Sequence, residues 1–165
     1  MRKIFSFILT VLMVCLCISG CSPLTGNSGS GSAVKITEMK QRFFICDRCG
    51  NIVAFVKESG VDVVCCEEFM KELVPRTVDV SSEKHAPVYT VENGVVEVSV
   101  GALPHPMSEE HHIEWISLRS KFGNQRKELC PTGEPAVGFA LSGGDEVREV
   151  YAYCNLHGLW QSDDR

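Results

Sequence analysis

The chain has 165 residues, 44% of them hydrophobic, with nine cysteines, five histidines and a formal charge of −5. Setting residues 1–39 aside as targeting and tether leaves one small and one modest folded segment, within the usual size range of domains. The acidic balance argues against a nucleic-acid partner, which would ask for a basic face, yet permits a local positive funnel for a small anion.

Arg2 and Lys3 precede an apolar run from Ile4 to Ile18, followed by Ser19-Gly20-Cys21. A basic start, an apolar stretch and small residues before a cut are the pattern of a secretory signal. The run is short for a membrane span. Ile18-Ser19-Gly20-Cys21 resembles the lipobox of bacterial lipoproteins, in which the cysteine becomes the lipid-modified N-terminus. The expectation is a signal peptide over 1–20, lipidation at Cys21 and a tether over 21–39. Within that tether, Asn27-Ser28-Gly29-Ser30-Gly31-Ser32 cannot form a packed element. The protein is then extracytoplasmic, attached to a bacterial membrane by its lipid.

Residues 40–75 form the small segment. Phe43-Phe44-Ile45 leads into Cys46-Asp47-Arg48-Cys49-Gly50. Asn51 to Val56 reads as a strand, Glu58-Ser59-Gly60 as a turn, and Val61 to Val64 as a second strand ending in Cys65-Cys66. So short a segment cannot bury enough apolar surface to fold easily alone and calls for a metal, disulfides or a partner. Cys46 and Cys49 can wrap one ion, Cys65 and Cys66 complete four thiolates, and tetrahedral sulfur suits zinc or iron. Neighbouring strand side chains point oppositely, so Cys65 and Cys66 share an ion only if the backbone turns there. Two disulfides are a third arrangement, because export favours oxidation.

Residues 76–165 are β-rich. Pro87 to Glu92 and Val95 to Val100 flank Asn93-Gly94, a strong hairpin signal. Ile113 to Arg119, Ala136 to Leu141 and Val147 to Tyr153 follow as strands, and no stretch has long helical periodicity. These features predict an all-β sandwich with Trp115, Phe139, Leu141 and Tyr151 in its core. All five histidines lie here, at 85, 105, 111, 112 and 157, in loops or at strand ends, and Cys154 stands three residues before His157. Imidazoles with one thiolate suit iron, copper or zinc, in a redox or a structural site. Cys130 has no metal role in this reading and is expected to be a buried spectator thiol.

Over residues 42–161 the chain resembles desulfoferrodoxin, the two-iron superoxide reductase family. Cys46-x-x-Cys49 with Cys65-Cys66 matches its desulforedoxin-like centre. Glu83-Lys84-His85, His105-Pro106-Met107, Glu110-His111-His112-Ile113-Glu114-Trp115 and Tyr153-Cys154-Asn155-Leu156-His157-Gly158 match its catalytic domain, in order. The resemblance implies a small desulforedoxin-like metal module followed by an immunoglobulin-like β-sandwich. It implies one iron on Cys46, Cys49, Cys65 and Cys66, and a catalytic iron on His85, His105, His111 and His157 with Cys154 as axial thiolate. His112 is then not a ligand. By the same resemblance superoxide takes one electron at the open iron position and leaves as hydrogen peroxide. Lys84 would draw in the anion, and Glu83 would close over the oxidised iron. A homodimer and an external electron donor, rubredoxin-like or membrane-linked, complete the expectation.

Overall fold

The computed structural model describes residues 40–77 and 82–163, with only the backbone at Ser82 and Glu83. The leader, the tether and Cys21 lie outside these residues. No helix among the described residues is long and apolar enough to cross a membrane.

The small module is built on β1 (Phe43–Ile45), which lies between β2 (Ile52–Ala54) and β5 (Lys71–Leu73), antiparallel to both. A separate hairpin joins β3 (Val64–Cys65) to β4 (Glu68–Phe69). The strand expected over Asn51–Val56 is therefore shorter, and that over Val61–Val64 enters its ladder only at Val64. Val56 and Val61 are exposed, so among the described residues no second layer draws these flanks into a ladder.

The larger part opens with a single helical turn, α1 (Ser82–His85). Then come β6 (Pro87–Glu92), β7 (Val95–Val100), β8 (Ile113–Ser120), β9 (Asn124–Glu128), β10 (Ala136–Ala140), β11 (Val147–Cys154) and β12 (Gly158–Gln161). The β6–β7 hairpin turns through Asn93 and Gly94 at φ of 52° and 76°, the primed turn that this dipeptide favours. Two sheets result, ordered β10-β7-β6 and β12-β11-β8-β9. The chain thus adopts the expected all-β plan, a small desulforedoxin-like metal module followed by an immunoglobulin-like sandwich.

On β7, Val96, Val98 and Val100 point inward while Glu97 and Ser99 are exposed, the period-two pattern of a half-buried strand. They meet Phe139 of β10 and Ile116, Leu118, Val150 and Ala152 of the facing sheet. That facing sheet is buried on its other side as well. Trp115, Tyr151, Tyr153 and Leu159 pack there against Phe43, Ile45, Ile52 and Leu73 of the small module. Trp115 stacks on Tyr153 with ring centroids 5.3 Å apart, and Phe43 lies 5.0 Å from Trp115. The two-sided burial explains why β8 and β11 are almost continuously buried rather than alternating.

Two irregularities aim this sheet at its functional end. The β8–β11 register shifts between Tyr153 and Cys154, leaving Glu114 unmatched on β11. This bulge lets Ile113 join the inner core although its parity matches that of Trp115. At the other irregularity Cys154 pairs with Gly158 across a three-residue loop, and Gly158 takes a φ of 76° that suits a glycine.

Candidate metal centres

The first cluster sits in the small module. The carbonyl of Cys46 accepts the Gly50 N–H at 2.9 Å, and the Cys46 N–H reaches the Asn51 carbonyl, also at 2.9 Å. Gly50, at φ 74°, relieves this tight knuckle. Cys66 and Glu67 both take positive φ, 51° and 66°, in the two-residue turn between β3 and β4. That turn is the departure from strand geometry that two adjacent ligands need. Left-handed backbone at two non-glycine residues costs on the order of 1–2 kcal/mol each, strain that is stored where a site demands it. The Cys49 and Cys65 sulfurs lie 3.6 Å apart, and those of Cys65 and Cys66 3.9 Å. All four thiols are unbridged, so the structure has the metal-type arrangement and not the disulfides. Backbone N–H groups, that of Cys49 foremost, lower the Cys46 thiol to about 7. Hydrogen bonding to Cys49 pushes Cys66 up to about 12. One ready thiolate among reluctant ones is a set that a cation would ionise together.

The second cluster gathers one end of the sandwich. His85 comes from the last turn of α1, and His105 from the loop after β7. His111 lies just before β8, while Cys154 ends β11 and His157 lies in the β11–β12 loop. Ring centroids of successive pairs are 4.7 Å (His85–His105), 4.6 Å (His105–His111), 4.8 Å (His111–His157) and 4.5 Å (His157–His85). His85 and His111 stand 6.2 Å apart, so the four rings form a near-square. His157 Nδ1 is 2.9 Å from His85 Nε2, 3.2 Å from His111 Nε2 and 3.4 Å from the Cys154 sulfur. One donor atom from each of the five residues falls within 4.8 Å of all the others.

The donor set fits a metal. His105 Nδ1–H donates to the Pro106 carbonyl at 2.6 Å, which places the lone pair on Nε2. That Nε2 is buried and has no hydrogen-bond partner among the described residues. An orphaned imidazole nitrogen facing three other imidazoles and a thiol is unfavourable unless a cation satisfies it. Five donors also exceed the four that zinc usually takes in structural sites.

Neighbouring residues hold the cluster together. Asn155 ties the two ligand-bearing loops: its Nδ2 donates to the Glu110 carbonyl at 2.9 Å, and its Oδ1 accepts the His112 N–H at 3.0 Å. Gly101, at φ 85°, lets the His85 turn and the His105 loop approach. A Cβ there would lie 2.7 Å from the Lys84 carbonyl oxygen and closer still to that of Leu103. His112 donates from Nδ1 to the Ser108 carbonyl and stands outside the cluster.

A family model described as Desulfoferrodoxin matches residues 77–163. The chain belongs to the desulfoferrodoxin family. A desulfoferrodoxin homolog from Archaeoglobus fulgidus is 43% identical over 127 residues, 77% of this chain and 99% of that protein. The desulfoferrodoxin of Nitratidesulfovibrio vulgaris is 40% identical over 118 residues, 72% of this chain and 92% of its own length. Among solved structures, the superoxide reductase from Treponema pallidum superposes with a TM-score of 0.66 at 35% identity. That match covers 77% of this chain and all of the other.

Within this desulfoferrodoxin the remaining expected residues are placed unequally. Lys84 is exposed in α1, next to His85. Glu83 shares that turn, but its side chain lies outside the described structure. Cys130 corrects the expectation of a buried thiol: it is exposed, in a turn closed by the Gly133 N–H on the Cys130 carbonyl. Pro131 and Gly133 fold the chain back at the surface before any core forms around it. Asn155 and Gly101, which position the cluster, carry no signal of their own in the sequence: Gly101 has no turn dipeptide to mark it, and Asn155 lies inside the Tyr153-Cys154-Asn155-Leu156-His157-Gly158 motif between two candidate ligands.

Burial foremost, with the neighbouring imidazoles, lowers His105 to about 4 and also lowers His111. Between pH 4 and the ordinary histidine value of 6.5, the unfolded chain therefore binds more protons than the folded one. The stability of the metal-free protein should rise with pH across this window. It should be complete above about pH 6.5, with a change on the order of 3 kcal/mol from His105 alone. Urea unfolding of the apoprotein from pH 4 to 7 measures it; a flat profile would mean that His105 titrates normally.

Proposed function

We propose that this desulfoferrodoxin is a superoxide reductase with iron in both clusters. The observation that carries the reading is the single group of four imidazoles and the Cys154 thiol, at the positions that match the family. Bound there, ferrous iron supplies one electron to superoxide, which with two protons becomes hydrogen peroxide. The protein's own part is to position and to supply charge. Burial raises the Cys154 thiol, opposed by the backbone N–H groups of Leu156 and His157. A cation is therefore what makes this sulfur an anionic donor. The four imidazoles and the Cys154 thiol are the residues that would hold the iron, and the iron would supply the site at which a small anion is reduced. Lys84, exposed beside His85, provides the local positive charge that draws superoxide to an otherwise acidic protein. By the family resemblance Glu83, one residue earlier, would supply a carboxylate to the oxidised iron. Electrons come from an external donor, rubredoxin-like or membrane-linked, and the active form is a homodimer.

Reduced, iron-quantified protein mixed anaerobically with superoxide tests this reading. The optical signature of the histidine–cysteine centre should report rapid oxidation, with peroxide formed and little oxygen released. In Lys84→Ala the second-order rate should fall about tenfold, and the salt dependence of the rate should flatten with it. Reduced iron that ignores superoxide would leave a non-catalytic electron-transfer protein.

Location is part of the proposal. The leader and Cys21 support an extracytoplasmic protein attached to a bacterial membrane by its lipid. Membrane fractionation checks it: the wild type should sediment with membranes and Cys21→Ser should not.

A further inference from the structure

The junction between the two modules leads straight to a ligand of the histidine–cysteine cluster. Arg76 follows β5 and is held to β12 by a pair of backbone hydrogen bonds. Its N–H donates to the Leu159 carbonyl at 3.0 Å, and its carbonyl accepts the Gln161 N–H at 2.9 Å. Its guanidinium carbon lies over the Trp160 ring, 5.6 Å from the centroid. Trp160 in turn stacks on His85, with centroids 4.8 Å apart and planes 18° from parallel. His85 is the imidazole whose Nε2 approaches His157 Nδ1 at 2.9 Å.

Each contact restricts the next. Trp160 is completely buried, so the indole cannot turn without moving its surroundings. The stack blocks rotation of the His85 ring on that side and fixes its plane at 71° to His105 and 69° to His157. The indole N–H is buried without an acceptor among the described residues, a cost that a phenylalanine would avoid. What an indole offers in return is the best aromatic face for a cation and the broadest one for a ring. The positive charge of Arg76 is thereby held one aromatic ring away from a ligand, on the backbone that joins the small module to the sandwich.

We propose that Trp160 and Arg76 are positioning residues for the histidine–cysteine iron: Trp160 sets the His85 ring plane, and Arg76 biases the centre toward the ferrous state. The inference rests on the assignment of iron to this cluster. A fixed cation near a redox centre destabilises the more positively charged oxidised form, so it raises the reduction potential. The charge lies close to solvent, and the effect should therefore shrink with added salt.

The test uses the full chain with both metals loaded and measures iron content, optical spectrum and reduction potential before any activity. Wild-type protein that takes no iron into this cluster would refute the functional reading itself. With iron present, Arg76→Ala should keep full iron content and fold but lower the potential of the histidine–cysteine centre at low salt. Arg76→Lys should restore most of the difference. Trp160→Leu should weaken iron binding by about tenfold or more, the usual cost of losing an outer partner of a ligand, and shift the charge-transfer band. Trp160→Phe, which keeps a stacking ring, should retain both. Equal potentials in wild type and Arg76→Ala, or an unchanged spectrum in a folded Trp160→Leu, would overturn the proposal.

Discussion

Replacing Cys154 with serine should leave a folded protein that has lost superoxide reduction by about two orders of magnitude or more. Losing an outer partner of a metal ligand typically costs 10–100-fold, and a direct anionic donor should cost at least the upper end of that range. Cys154 is completely buried among Val96, Val98, Val100, Ala152 and their neighbours. Serine nearly preserves the volume there, so the expected loss of stability is only about 1–3 kcal/mol, from burying a hydroxyl in place of the thiol. The chemical change is larger. A hydroxyl does not ionise near neutral pH, so the cluster keeps four neutral imidazoles and loses its anion. Iron should bind more weakly, and the thiolate-to-iron absorption should vanish. Metal analysis, the optical spectrum and rapid mixing with superoxide on one preparation would separate these effects. A variant that retains the wild-type rate would remove the thiolate from the chemistry.

The second large effect concerns stability. Phe43 is 1% exposed, lies 5.0 Å from the Trp115 ring and 5.5 Å from that of Tyr151, and anchors the central strand of the small module. Phe43→Ala should cost about 3–5 kcal/mol, since a cavity opens between two elements that cannot both collapse into it. Against a typical total of about 5–15 kcal/mol, that is enough to separate the two parts in denaturant. Urea unfolding followed by aromatic fluorescence and by tetrathiolate absorption should then show the small module's transition first. Coincident transitions at the wild-type midpoint would mean that β1 contributes little across this interface.

Part of each candidate cluster is legible because it is written locally. Cys46-x-x-Cys49 and the Cys154 and His157 spacing each occupy a few residues that the structure brings together, and the Asn93-Gly94 turn is found as read. What escaped the sequence is what depends on distant partners. Val61 to Val64 has the composition of a strand, but its ladder starts at Val64, with one more backbone bond from the Met70 N–H to the Val63 carbonyl, and Val61 is left exposed. Trp115 was assignable to a core, yet its membership of the interface with the small module depends on residues far away in the chain. Cys130 looked buried because cysteine commonly is, whereas its place is set by the turn at Pro131 and Gly133. Gly101 carries no local sign that two carbonyl oxygens will crowd its α-carbon.

The near-square of rings has a consequence for the order of events in the life of the chain. His85 and His157 are separated by 72 positions, yet their nitrogens meet at 2.9 Å. Only two pairs, Cys154 with His157 and His105 with His111, are close enough in sequence to offer a chelate before the sandwich closes, and two donors hold an ion weakly. High affinity therefore arises when α1, the loop after β7 and the β11–β12 hairpin have all arrived, after the loop-closure entropy has been met by other contacts. Capture of a metal there would thus act as a proofreading step. A chain with its strands out of register presents a broken square, gains none of the mass-action stabilisation that a bound ion confers on the native form, and remains the species most open to proteolysis.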